Sequence, residues 1–513
     1  MESLALGTTS LNIFLQFFLA LALVIPVVLI SRTVVAGSRY SPILIIVIFG
    51  LLMGLVLVSS GISTPGLPDF PIVDLMSKIT ITALIASFFV GGQEIRKILA
   101  HKKITLEDIV IPSQEEVILG TKRTQFVFLV RAFFILLGIE GIKRMLLGSP
   151  ANDALGKFYP LIAYLGLVGS VILIDSKATV LNKRGYIAKG LMEIAVIVVI
   201  LIASQFISQW IKPLIGLPQI FFAMVISSAL GMLLSKWRFG PTLRALLFAG
   251  IPVVLAANFM IGGSRIIEGF RLAGMGSVML FGFFGQLFWM FGGIVLLIFA
   301  GRANHVRNLA PGMAGSLSHS GLTGACTAGD LGPEAASRAP IMINVPFLGH
   351  IFVFSILAAS ATGGKLLIPW AAGVVLLGIV LTYFSMRTMR RAQGAEEIEI
   401  KGLMQFSLGW QLTAVFGSFL LLAIGNMPLN NAAMATSSAI SHFGLFAATQ
   451  GGMFGAQAVE LIPFIFAMPF LVHPLVFGMF GKAVDNDGAM PGKIALGLAS
   501  IGVLGVLYAV FLA

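Results

Sequence analysis

Apolar segments of span length recur along this chain from one end to the other, and nothing constrains its folding more. Fourteen can be drawn, at 12–31, 42–60, 74–92, 125–142, 158–174, 190–208, 217–234, 244–262, 275–300, 340–360, 366–386, 403–424, 460–480 and 491–512, with 158–174 the weakest. Each is long enough, or nearly so, to cross about 30 Å of hydrocarbon as a helix. Inside a bilayer no water is available to a backbone N–H or C=O, so such a run must satisfy its own polar groups, and it does so as a helix. Composition agrees: 58% of residues are hydrophobic and 11% charged, against about 25% charged in soluble domains. The expected fold is an all-α polytopic membrane protein of about 14 transmembrane spans. The first segment lacks the charged start, short apolar core and small-residue cleavage site of a signal peptide, so it reads as a retained span.

The net charge of +12 points to loops rather than to nucleic acid. With 31–41 placed inside and the spans alternating, the inside loops (31–41, 93–124, 175–189, 235–243, 301–310, 387–402 and 481–490) hold 21 Lys and Arg and the outside loops hold 7. This is the bias expected of cytoplasmic loops, and it puts both termini outside. The one long connection, 93–124, is a cytoplasmic insertion too short for a domain. No Gly-x-x-x-x-Gly-Lys-Ser/Thr run is present, which argues against an ATP-driven pump on this chain alone. The sole cysteine, Cys326, excludes an internal disulfide.

The second half contains a duplication. Ser318–Phe354 and Ser441–Phe477 align over 37 residues without a gap and share 15 identities, where unrelated apolar stretches would share about three or four. The pairs include Ser318/Ser441, His319/His442, Gly321/Gly444, Pro340/Pro463, Pro346/Pro469 and His350/His473. With 301–310 and 387–402 both inside, the span count makes 311–335 enter and leave from the cytoplasm and 436–457 enter and leave from outside. The copies therefore read as an inverted-topology repeat with two re-entrant hairpins, the signature of a secondary transporter. The domain plan is 1–240 as scaffold spans, 241–362 as repeat A with hairpin 311–335, and 363–513 as repeat B with hairpin 436–457. Gly-, Ala- and Thr-rich tips suit non-helical backbone facing a protein-lined cavity. Their exposed N–H and C=O groups suit an anion and a cation respectively.

The candidate substrate and ion ligands are Ser318, His319, Gly321, Thr323, Thr327, Asp330, Asn344, Ser441, His442, Gly444, Thr449 and Gln450, with sodium placed at Ser318, Ser441 and Asp330. The paired histidines read either as backbone-bonding groups at the hairpin bases or as substrate donors titrating near neutral pH. Metal ligation is the least supported, because no Cys or His-x-x-x-His pairing accompanies them. Asp330, Glu334 and Glu460 read as ion-coupling carboxylates, with an i,i+4 pair between Glu334 and Arg338 as the alternative for Glu334. The run Asn426, Asn430, Asn431, Thr436, Ser437, Ser438 and Ser441 reads as an outer entrance or as a solvated loop with helix caps. In the first half, Lys78, Gln93, Glu94, Arg131, Glu140, Asp175 and Glu193 sit in or at the ends of spans. Arg131 and Glu140 are nine residues apart and do not share a helix face, so they are not expected to pair with each other. Spans 1–7 read as scaffold.

The Ser-His-x-Gly-Leu openings, followed by small-residue tips and a Pro-containing span, resemble the re-entrant motifs of the glutamate:sodium symporter family. The likeness is best over 190–358, where Leu217-Pro218-Gln219, the 275–300 span, His319-Ser320-Gly321 and Val345-Pro346-Phe347 occur in the family's order. Ser318 and Ser441 stand where the family has glycine, the motifs are closer together, and about seven spans precede the first. The resemblance implies the inverted-repeat fold, sodium coupling and an acidic substrate held at the hairpin tips. Carriers of 2-hydroxycarboxylates and cation/proton antiporters share the architecture.

The expected function is thus a sodium- or proton-coupled carrier of a small organic anion such as glutamate or a di- or hydroxycarboxylate. It is expected to be no enzyme and to use no cofactor beyond the coupling ion. Its partners would be that anion, the ion, the lipid bilayer of a bacterial inner (plasma) membrane and, by analogy, a second copy of itself. A sodium/proton antiporter and a membrane subunit of an ion-translocating complex are the alternatives.

Overall fold

The computed structural model describes residues 10–35, 42–100, 122–149, 153–173, 183–215, 219–237, 239–271, 275–299, 317, 367–391, 396–440, 472 and 489–511. Every element among them is helical. The first half contains α1 (Ser10–Val35), α2 (Pro42–Ser59), α3 (Pro71–Ser77), α4 (Thr80–Leu99), α5 (Lys122–Leu147), α6 (Tyr159–Ile172), α7 (Lys183–Ile215), α8 (Gln219–Leu233), α9 (Pro241–Ala245), α10 (Ile251–Ser264) and α11 (Ile266–Arg271). The second contains α12 (Met275–Phe299), α13 (Leu367–Arg391), α14 (Glu396–Ile424), α15 (Leu429–Ile440) and α16 (Ala489–Phe511). Among the described residues, nine helical segments are long and apolar enough to cross a membrane, which makes this an all-α integral membrane protein.

Two helices outside these nine are shorter than the sequence reading drew them. α6 has 14 residues and α8 has 15, below the about 20 that a straight crossing needs. The segment drawn at 74–92 is broken near its start: α3 ends at Ser77, Lys78 and Ile79 interrupt it, and α4 runs on from Thr80 to Leu99. The segments drawn at 340–360 and 460–480, hairpin 311–335 and the part of the second hairpin beyond Ile440 lie outside the described residues, Leu317 and Val472 apart.

Helices in lipid gain little from apolar burial against one another, so close backbone approach and dispersion hold them together. α2 packs on α10, α4 on α8 and α5 on α6. In each seam a glycine meets the facing helix: Gly54 the carbonyl of Met260, Gly92 that of Ser228, and Gly138 the backbone of Gly166. A Cβ at Gly50 would come within 2.7 Å of Phe259 Cβ. α13 and α14 repeat the device, with Gly378 and Gly409 facing each other beside Thr413 and Thr382.

Several polar groups of the first half tie helices together. Gln93 donates to the carbonyls of Leu234 and Trp237, both at 3.0 Å, and ties α4 to the end of α8. Gln219 donates to Leu201 O at 2.9 Å and anchors the start of α8 on α7. The Glu193 carboxylate accepts the backbone N–H groups of Gly240, Thr242 and Leu243, and so caps α9 from a different helix. Beyond α9 lies a single π-helical turn, Leu246–Gly250. Pro252 explains it: its ring clashes with the carbonyl four residues earlier and offers that carbonyl no N–H. That carbonyl belongs to Phe248, and it accepts Arg32 Nη2 of α1 at 2.8 Å. As the nine-residue spacing predicts, Arg131 and Glu140 are not partners. Glu140 pairs with Lys143 at 2.6 Å and Arg144 at 2.9 Å, while Arg131 reaches the Tyr186 hydroxyl on α7.

Candidate functional site

Among the described residues of the second half, four polar side chains are buried with nothing to bind. Gln286 on α12 and Gln411 on α14 are 0% exposed, and neither the oxygen nor the nitrogen of either amide has a hydrogen-bond partner. Thr436 and Ser438 on α15 are 2% and 0% exposed, and their hydroxyls are equally unpartnered. A buried polar atom left unpaired costs about 1–3 kcal/mol. Proteins carry few such groups, and in the first half Thr80 and Ser227 also leave buried hydroxyls unpartnered.

Two contacts place the helices that carry the four against one another. The first joins α12 to α15. Gly285 packs against Ala439, and a Cβ at Gly285 would lie 3.2 Å from that of Ala439. Gln286 follows this glycine, Ser438 precedes the alanine, and Thr436 lies one turn before it. The second contact joins α12 to α14 through tryptophans. Trp289 Nε1 donates to Ser418 Oγ at 2.7 Å, and Trp410 Nε1 donates to the Trp289 carbonyl at 3.0 Å. The two rings meet edge to face, with centroids 5.3 Å apart, and Phe406 stacks on Trp410. Trp289 is one turn after Gln286. Gln411 follows Trp410 and shares a helix stripe with Ser418 two turns on. An indole N–H inside a membrane needs an acceptor, and here both indoles find one while the adjacent amides do not.

α15 overturns one of the two readings of the run from Asn426 to Ser441, the solvated loop, over residues 429–440. Residues 429–440 do not form a solvated loop: they form a helix packed on α12 and α14 and buried along most of its length. Asn426 is the residue that makes the turn into it, with φ +62, a left-handed conformation that asparagine tolerates better than most residues. α15 ends at Ile440, and the next residues are Ser441 and His442.

The residues singled out from sequence fall into two groups. Ser318, His319, Gly321, Thr323, Thr327, Asp330, Asn344, Ser441, His442, Gly444, Thr449 and Gln450 lie outside the described residues, as do Asp175, Glu334, Arg338, His350, Glu460 and His473. Of the others, Lys78 forms an exposed pair with Asp74 at 2.6 Å, Glu140 pairs within its own helix, and Gln93, Arg131 and Glu193 join helices as described above. Among the described residues no group of three or more His, Cys, Asp or Glu is placed to hold a metal ion.

Gln286 and Gln411 were not singled out from sequence. Each is an amide in the middle of an otherwise apolar span, which is the available signal. A search weighted toward charges and repeated residues passes over it. No family model, curated protein or solved structure matches this chain.

Proposed function

We propose that this protein is a sodium- or proton-coupled secondary carrier of a small organic anion, such as glutamate or a di- or hydroxycarboxylate. It would work by alternating access, with the site where the repeated segments 318–332 and 441–455 meet. The observation that carries the reading is the set of four buried, unpartnered polar side chains on α12, α14 and α15. The last of these helices leads directly into the second Ser-His-x-Gly-Leu motif. Uncharged amide and hydroxyl oxygens suit a hard monovalent cation, and amide and hydroxyl donors suit a carboxylate. The inverted repeat supplies the two faces that alternating access requires. The glycine-seamed first half, where Arg131 and Glu193 join helices and Glu140 is paired within its own, is the scaffold and the surface for a second copy.

The test is uptake by the purified protein in proteoliposomes under an inward sodium or proton gradient. Gradient-driven accumulation of a dicarboxylate or an acidic amino acid is expected. Cation–proton exchange without any organic substrate would replace the carrier with an antiporter. Activity that appears only with a copurifying second polypeptide would make the chain a subunit of a larger complex.

A further inference from the structure

The first half is itself built twice. Ala86, Phe88, Gly91, Gly92 and Ile95 of α4 recur at the same spacing as Ala257, Phe259, Gly262, Gly263 and Ile266, along α10 and into α11. The contacts recur with them. A Cβ at Gly54 of α2 would meet Met260 O and Ser264 N of α10, and one at Gly231 of α8 would meet Phe89 O and Gln93 N of α4. A Cβ at Gly263 would meet Leu51 O, and one at Gly92 would meet Ser228 O. Gln16 of α1 binds Asp69 O ahead of α3, as Glu193 of α7 binds Gly240 N ahead of α9. Thus α1, α2 and α3–α4 match α7, α8 and α9–α10. The alternating span count gives the two units opposite orientations, and inverted units bind their ligands where corresponding helices are interrupted. The π turn at Leu246–Gly250 falls where the other unit breaks between α3 and α4.

That break leaves a bare helix start inside the Pro71–Gln93 membrane segment, away from both of its ends. The first backbone bond of α4 runs from Ala83 N to Ile79 O at 3.3 Å. The N–H groups of Thr80, Ile81 and Thr82 therefore have no carbonyl of their own helix to bind. Ile79, just before the helix, has no side-chain acceptor to cap them. Ser77, Ile79, Thr80 and Thr82 are only 1–4% exposed, and Thr80 Oγ1 is buried without a partner. Every unmet backbone group here is a donor, the hydroxyl donates as well, and the positive end of the helix dipole lies at the same place. All belong to three consecutive residues of one turn, whose N–H groups converge along the helix axis. The matching start in the other unit is closed: Pro252 has no N–H, and the carbonyl it frees is taken by Arg32.

We propose that a compact anion, a carboxylate or a halide, binds at the start of α4, held by the N–H groups of Thr80, Ile81 and Thr82 and by the Thr80 hydroxyl. The site does not depend on the carrier reading, because its occupancy is measured without transport. The full-length protein in detergent is melted at one ionic strength in sodium acetate, in sodium chloride and in sodium HEPES, whose sulfonate is too bulky for a buried turn. A saturable rise in melting temperature with acetate or chloride over HEPES is expected, and the larger of the two rises names the anion class. Thr80→Val keeps the side-chain shape and removes the hydroxyl. It should melt no lower than the unmodified protein in HEPES and bind the anion about tenfold or more weakly. Ile79→Asp places a carboxylate of the chain itself at the helix start; it should melt higher in HEPES and lose the anion response. No anion response in the unmodified protein would overturn the site and leave the bare turn to water. A response unchanged in Thr80→Val would put the anion elsewhere and overturn it too, whether or not Ile79→Asp folds. Either result leaves the carrier reading, tested by uptake, untouched.

Discussion

A carboxylate at membrane depth is tolerable only when its hydrogen bonds are complete, and Glu193 completes them on the opening turn of α9. Its removal orphans three backbone N–H groups at once. Glu193→Leu should therefore cost about 3 kcal/mol or more, and Glu193→Gln, which keeps one acceptor, distinctly less. Unfolding of the purified protein followed by tryptophan fluorescence reads both. Arg32 offers a second test, because its bond to Phe248 O answers a need created by Pro252. Arg32→Met should cost about 1.5–3 kcal/mol. In a Pro252→Ala background, where residue 252 regains an N–H, the cost should shrink, giving a non-additive double-mutant cycle. Additive costs would show that the proline does not create the need. Neither partnership is visible in sequence: Arg32 and Phe248 are 216 residues apart, and nothing local to a lone arginine at a span end names its acceptor.

At the scale of elements, the α12–α14 contact hangs on two indoles. Ser418→Ala removes the acceptor of Trp289 Nε1 and should cost about 1–3 kcal/mol, whereas Trp289→Phe combined with Ser418→Ala removes both partners and should recover part of it. Melting temperatures of the three variants check this. The α4–α8 seam should respond to size alone. Gly92→Leu drives a side chain into the Ser228 carbonyl and should cost about 1–3 kcal/mol or displace α8. Most helices of the first half were legible because a long apolar run has one outcome in lipid. α15 was not: its asparagines and hydroxyls read as loop chemistry. Only the faces of α12 and α14 packed around it make a buried helix of that stretch. The break at Lys78 and the π turn at Leu246–Gly250 escaped for a similar reason, since apolar periodicity carries no mark of a local change in register.

For the whole molecule, the charge bias of the loops predicts which side each helix end faces. In a Cys326→Ser background, single cysteines replacing Lys236 and Ser149 should be labelled by an impermeant maleimide from opposite sides of the membrane, with Lys236 cytoplasmic. Labelling from one side would refute the alternating count and, with it, the inverted orientation of the two repeats. The sequence by itself determined that the chain lies in a membrane and is built of helices. It did so because the bilayer forbids an unpaired backbone and sets the length of an apolar run. It also exposed the duplication at Ser318 and Ser441, since identity at a fixed offset survives without any structure. Only the tertiary structure decided which buried polar residues are spent and which are not. Gln93, Arg32 and Glu193 have partners supplied by distant helices, and Gln286 and Gln411 have none among the described residues. The physical reason is that a hydrogen bond in a membrane is satisfied across helices whose facing residues are far apart in the chain.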